Sequence, residues 1–131
     1  MNPQLSKNIQ VKRAYDPPAP SDGLRVLVDR FWPRGLNKQT AKVDDWMKEI
    51  APSEGLQQWL ENQPVTWMEF ERHYHGELEK RKELTDRLLS KAEAGMVTLL
   101  FGTNQTRFNN ATALRNFLLS GPKNQRSAPK P

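Results

Sequence analysis

The chain has 131 residues, with 20 basic and 15 acidic residues for a formal net charge of +5, and it contains no cysteine. This length fits one domain, and the absence of cysteine excludes disulfides, a thiolate nucleophile and a Cys-ligated metal. No apolar run is long enough for a transmembrane helix, and the polar first residues do not resemble a secretory signal. We therefore expect a cytoplasmic protein that makes no membrane contact.

The positive charge is concentrated at the C-terminus. Lys123, Arg126 and Lys130 lie in the last ten residues, which hold no acid, and the rest of the chain has 17 basic against 15 acidic residues. A nearly balanced body argues against nucleic acid as a partner, although the basic tail leaves that possibility open. We predict a flexible N-terminus at residues 1–8, a single α/β domain at 9–120 and a disordered basic tail at 121–131.

The first third of the chain predicts two strands. Residues 9–13 alternate apolar and polar side chains, which is typical of a short strand. Residues 15–23 hold three prolines and an Asp-Gly turn, and residues 24–29 form a nearly continuous apolar run of the kind found in buried parallel strands. The ten-residue link between the two strands is short for a crossover, so the first strand is either parallel or antiparallel at the sheet edge.

The middle of the chain predicts helices. Apolar residues at 43, 46, 47 and 50 follow helical spacing, and Ser53 can cap a short helix that carries Leu56, Trp59 and Leu60. Thr66 and Glu69 form a capping box for a longer helix. The highly charged residues 77–83 predict a bend or break, after which another helix ends at Gly95.

The last third predicts a buried strand at residues 96–101, a polar loop, and a final helix capped by Asn109 or Asn110. Because strands alternate with helices, we predict an α/β fold: a small three-layer sandwich with a short, mostly parallel sheet of three or four strands flanked by helices.

In such a sheet, ligands bind beyond the carboxyl ends of the strands. Polar side chains follow all three predicted strands, and arginine together with a helix N-terminus suits phosphate or carboxylate. Asp29 is the candidate general base if the site is catalytic. The candidate ligand-binding residues are Arg13, Tyr15, Arg30, Trp32, Arg34, Thr103, Asn104 and Asn110.

Two residue groups have a structural alternative. Asp29, Arg30 and Arg34 could instead form a salt-bridge knot that ties down their own loop. Trp32, which precedes a proline, could be a stacking platform for a ligand or a packed plug. Trp46, Trp59 and Trp67 fall on apolar faces and are expected in the core.

The sequence thus predicts a binding site for a small anion, with or without catalysis. The alternatives are a nucleic-acid-associated or regulatory protein, and a protein-interaction module without chemistry. The chain lacks the glycine-rich and metal-binding motifs of common cofactor and zinc sites, so no cofactor and no metal are expected. We expect a monomer or a small homo-oligomer.

Several strings in the chain resemble the YeaO-like bacterial proteins, small members of a broader domain-of-unknown-function family. The strings are Lys-Arg-Ala-Tyr-Asp-Pro at 12–17, Asp-Arg-Phe-Trp-Pro-Arg-Gly at 29–35, Ala-Pro-Ser at 51–53 and Thr-Leu-Leu-Phe at 98–101. The resemblance spans about residues 9–119. It implies a compact α/β domain and no particular reaction. Phe31 stands where leucine is usual in the family, and Phe101 where tyrosine is usual.

Overall fold

The computed structural model describes residues 3–62 and 64–127, with side chains for 5–62 and 64–120. Four strands form one sheet: β1 (Ile9–Arg13), β2 (Leu24–Leu27), β3 (Asp45–Trp46) and β4 (Val97–Phe101). The helices are α1 (Pro3–Asn8), α2 (Lys38–Ala41), α3 (Glu54–Asn62), α4 (Trp67–Glu79), α5 (Lys82–Ala94) and α6 (Asn110–Ser127). The predicted α/β fold is confirmed.

The sheet is parallel throughout, in the order β1-β4-β2-β3. The direction of the first strand, which the sequence left open, is therefore parallel. The carboxyl ends of β4 and β2 lie side by side at the centre of one sheet edge, where the sequence predicts the site.

The two faces of the sheet are covered differently. Side chains of one face, among them Val26, Leu99 and Phe101, pack in the main core with α1 and α3–α6. On the opposite face, Leu27 and Leu100 pack against Trp32, Leu36, Val43 and Trp46 from the segments that follow β2. The second face is thus closed by loops and the one-turn helix α2.

The predicted helix at residues 43–50 is wrong. Residues 45–46 form β3 beside Val26 and Leu27, and a 3₁₀ turn follows at Lys48–Ile50. Val43 and Trp46 pack on one face of the sheet, whereas Met47 and Ile50 belong to the main core on the other. The apolar spacing that resembled one helix face instead serves both sides of an edge strand.

The local signals for α3 to α5 are confirmed. The Ser53 hydroxyl accepts a hydrogen bond from the Leu56 amide, and Thr66 and Glu69 form the reciprocal capping box of α4. The helix is interrupted between α4 and α5, inside the charged stretch at residues 77–83, and Gly95 is the C-cap of α5.

The two ends of the chain both begin or continue as helix in the described structure. The N-terminus was expected to be flexible, but residues 3–8 form α1 and Leu5 is buried against the core. For the predicted tail at 121–131, the backbone of α6 continues to Ser127, and residues 128–131 lie outside the described part of the chain. In the part that is described, no helix is both long enough and apolar enough to cross a membrane.

Candidate functional site

Asp29 joins three elements at the carboxyl edge of the sheet. Its Oδ2 accepts a hydrogen bond from the Gly102 amide at 2.8 Å, and its Oδ1 accepts one from Asn110 Nδ2 at 3.1 Å. The same Asn110 nitrogen donates to the Val28 carbonyl, and the Trp46 indole donates to the Asp29 carbonyl. Burial raises the pKa of Asp29, although the hydrogen bonds from Asn110 and Gly102 oppose that shift.

Two adjacent asparagines at the start of α6 have different tasks. The Asn109 side chain accepts a hydrogen bond from the Thr112 amide and so caps the helix. Asn110 is thereby released to hold Asp29. The sequence predicts a cap at one of these two positions, and the structure assigns it to Asn109.

The Arg30 side chain hydrogen-bonds to the main chain just before α3. Its Nε and Nη2 donate to the Pro52 carbonyl at 3.3 Å, and Nη2 also reaches the Ala51 carbonyl. Arg81 donates to the same Ala51 carbonyl at 2.6 Å, and the Tyr74 hydroxyl donates to the Ile50 carbonyl at 2.7 Å. Side chains from the loop after β2, from α4 and from the α4–α5 junction thus fix the short segment that leads into α3.

The structure does not support the salt-bridge knot predicted as an alternative. No ion pair joins Asp29, Arg30 and Arg34, all three of which lie in the described region. The Arg34 side chain is exposed, while its main-chain carbonyl accepts a hydrogen bond from the Tyr15 hydroxyl.

The remaining predicted site residues form a second group, apart from Asp29. Arg13 donates to the Thr103 carbonyl and stacks over the Tyr15 ring, with its guanidinium carbon 4.9 Å from the ring centroid. The Trp32 indole donates to the Leu36 carbonyl and its ring packs edge-on against Trp46. These contacts make Trp32 a packed side chain, in keeping with the second of its two predicted roles.

Gly102 is closely packed against Pro33 and Asp29. A Cβ at this position would lie 3.0 Å from Pro33 Cβ and 3.1 Å from Asp29 Oδ2. The loop after β2 therefore packs directly against the loop after β4.

A cleft of about 650 Å³ opens on the Asp29 side. This volume is within the usual range for small-molecule sites, roughly 300–1,000 Å³. Of the predicted site residues, Asp29, Arg30, Thr103 and Asn110 line it, whereas Arg13, Tyr15, Trp32, Arg34 and Asn104 do not.

The cleft also contains residues that the sequence analysis did not select. One wall is a row of rings in which the Trp67 centroid lies 5.3 Å from that of Phe108 and 5.4 Å from that of Phe70. Phe31 lines the cleft while remaining 70% exposed. The helix α3 contributes an exposed polar rim of Glu54, Gln57, Gln58 and Glu61. Among these residues, only Phe108 stands out in the sequence, because it is an aromatic residue in an otherwise polar loop and so could have indicated a ligand contact.

The clamp formed by Arg30 gives a first testable prediction. Arg30→Met should lower the free energy of unfolding by about 1–2 kcal/mol, because it removes charged hydrogen bonds to the Ala51 and Pro52 carbonyls at a half-buried position. Arg34→Met is the matched control and should change it by less than about 0.5 kcal/mol, since that side chain is exposed. Urea denaturation measures both, and equal losses would contradict the clamp.

Comparisons with known proteins agree on one family. The family model described as "Inactive DUF488-N3 subclade" matches residues 8–131. The chain is 41% identical over 113 residues to the uncharacterized protein YeaO of Escherichia coli, covering 86% of this chain and 98% of that protein. It is 36% identical over 110 residues to the uncharacterized protein Rv3073c of Mycobacterium tuberculosis, covering 84% of this chain and 92% of that protein. No solved structure matches the chain.

Proposed function

The chain belongs to the YeaO-like family, within the inactive DUF488-N3 subclade, and we propose that it binds a small organic molecule in the cleft beside Asp29. One observation carries the proposal: a cleft of about 650 Å³ at the carboxyl edge of a parallel sheet joins exposed aromatic rings to a half-buried carboxylate. Apolar walls with a few fixed polar groups are the usual composition of ligand sites.

The polar groups on the floor of the cleft are held in place before any ligand arrives. Asp29 is fixed by Gly102 and Asn110, and the approach to α3 is fixed by Arg30, Arg81 and Tyr74. Such preorganisation reduces the entropy that binding must overcome. The description of the subclade as inactive favours binding without turnover as the function of this arrangement.

An exposed ring on the cleft wall allows a controlled test. Phe31 and Met68 are 70% and 71% exposed, but only Phe31 lines the cleft. Phe31→Ser should therefore weaken the binding of small aromatic fragments by about tenfold, through the loss of apolar contact, without a large effect on stability. Met68→Ser should leave binding unchanged.

The measurement is a fragment screen by NMR on the labelled protein, followed by titration of the hits. Fragments in the cleft should shift the Gly102 amide, the Asn110 side-chain amide and the Trp67 indole. A screen in which no fragment perturbs these signals would refute the proposal, as would hits whose affinity is the same in wild type and Phe31→Ser.

The anion site predicted from the sequence is the second candidate function. It is favoured by Arg30, whose Nη1 has no hydrogen-bond partner in the described part of the chain, and by the N-terminus of α6. Inorganic phosphate would then stabilise wild type and Arg34→Met but not Arg30→Met. Nucleic-acid association and protein interaction stay predictions from the sequence alone.

A further inference from the structure

Charge and ring geometry narrow the class of ligand that this cleft can accept. Resting on the proposed function, we propose that its ligand is an organic cation: a protonated amine, amidine or guanidine attached to a flat apolar body. This is the opposite charge from the one predicted by the arginines of the sequence. The observations that carry it are the balance of charges on the lining, the acceptors on the floor and the rings on the wall.

The described lining residues include three carboxylic acids and one base. Asp29 lies on the floor, Glu54 and Glu61 stand on the exposed rim of α3, and Arg30 is the single base. Nε and Nη2 of Arg30 donate to the Pro52 and Ala51 carbonyls, so much of its hydrogen-bonding capacity is directed at the protein. The summed field of these groups attracts positive charge into the cleft and repels anions.

The floor of the cleft offers acceptors. Each oxygen of Asp29 accepts one hydrogen bond from within the protein, which leaves each oxygen a further acceptor site for a ligand. The side-chain oxygen of Asn110, in the described structure, receives no hydrogen bond, while its Nδ2 is committed to Val28 and Asp29. Adjacent carboxylate and amide oxygens suit a group that carries several N–H donors, and a charged donor strengthens such bonds.

The wall of the cleft suits the body of such a ligand. Phe108, Trp67 and Phe70 form a continuous row of rings, and Phe31 adds an exposed ring from the β2 loop. Cations lie favourably over aromatic faces, with indole the strongest of them. Outside the lining, the Arg107 guanidinium carbon lies 5.3 Å from the centroid of the Phe108 ring, an example of such a contact in this protein.

Three probes of nearly identical shape test the charge of the ligand directly. Benzamidinium, benzamide and benzoate share one flat ring and differ mainly in charge. In NMR titrations of the full chain at neutral pH, we expect benzamidinium to shift the Gly102, Asn110 and Trp67 signals and to bind about tenfold or more tightly than the other two probes.

Two variants locate the effect. Asp29→Asn keeps the shape of the side chain and should weaken benzamidinium about tenfold while leaving benzamide unchanged. Because Asp29 also holds Gly102, a second variant avoids the core: Glu54→Gln combined with Glu61→Gln changes two exposed side chains and should weaken benzamidinium by roughly two- to fivefold.

The outcomes separate this inference from the proposed function. If benzoate or benzamide binds in the cleft as tightly as benzamidinium, the cation inference is overturned while the cleft remains a ligand site. If no probe shifts the cleft signals, the cation inference is overturned, and the fragment screen decides separately whether the cleft is a ligand site. If benzamidinium binds and neither variant lowers its affinity, these carboxylates do not interact with the ligand charge and the inference fails.

Discussion

Asp22→Asn should lower the free energy of unfolding by about 3–5 kcal/mol, the range typical of a broken buried ion pair. Asp22 is 1% exposed and Arg25 is 3% exposed, on the sheet face opposite the main core. The Asp22 carboxylate accepts hydrogen bonds from Arg25 at 2.6 Å, from Lys12 at 2.9 Å and from the Ala19 amide at 3.0 Å. Its replacement leaves a buried guanidinium and an ammonium without their anion.

A double variant distinguishes loss of charge pairing from simple misfolding. Asp22→Asn with Arg25→Met removes both charges, so it should lose less stability than the sum of the two single variants. Thermal and urea unfolding measure all three. Asp86→Asn is the control, since its pair with Lys82 is exposed, and it should cost less than about 1 kcal/mol. A loss of less than about 1 kcal/mol for Asp22→Asn would contradict a stabilising role for the ion pairs of Asp22 with Arg25 and Lys12.

The same residue predicts how stability depends on pH. Burial alone would raise the pKa of Asp22, but the hydrogen bonds from Lys12, Ala19 and Arg25 outweigh it and lower that pKa. Its contribution is therefore present above the unfolded value, about 3.9, and is lost as pH falls through the lower folded value. As the pH is lowered into the acid range, the free energy of unfolding should therefore decrease less steeply in Asp22→Asn than in wild type.

The sequence could predict features that depend on neighbours in the chain. The capping box at Thr66 and Glu69 needs only two residues three positions apart, and continuous apolar runs predict the buried strands. The helix predicted at residues 43–50 failed because spacing does not show that Trp46 and Met47 pack on opposite faces of the sheet. That assignment requires the pairing of β3 with β2.

The candidate cleft lies at the sheet edge to which the sequence analysis assigned the site, and four of the nine predicted residues line it. Strand ends are visible in the sequence, whereas the contact between Gly102 and Pro33 is not, nor is the absence of Arg13, Tyr15 and Arg34 from the lining of the cleft. The acidic rim was also hidden, because Glu54 and Glu61 belong to a helix that is distant from Asp29 in the chain. Its position depends on the clamp formed by Arg30 and Arg81.

Burial shifts the pKa of Asp29 in the opposite direction from that of Asp22. Because burial raises the pKa of Asp29, its carboxyl group binds a proton more readily in the folded protein than in the unfolded chain. Its contribution to stability is therefore largest below the unfolded pKa and is lost as pH rises through the folded one, opposite in sign to that of Asp22.

Binding of benzamidinium should accordingly weaken as the pH falls through the folded pKa of Asp29, by about tenfold in total and down to the affinity of Asp29→Asn, because protonation removes the anion that the ligand contacts. Since that pKa is raised, the fall should begin at a higher pH than the usual 3.9 or so of aspartate. Arg30, Glu54 and Glu61 are the other charged groups on the described lining, and Tyr74, whose pKa is raised mainly by burial, stays neutral in this range.

The variants Asp29→Asn and Glu54→Gln, Glu61→Gln show which carboxylate causes the pH dependence of benzamidinium binding. Isothermal titration across pH should show the fall in wild type and in the Glu54→Gln, Glu61→Gln variant, and a much flatter profile in Asp29→Asn. Benzamide, which has no charge to pair, should bind with similar affinity throughout. An affinity for benzamidinium that stays constant down to about pH 4, near the ordinary aspartate value, would show that Asp29 does not contact the cation.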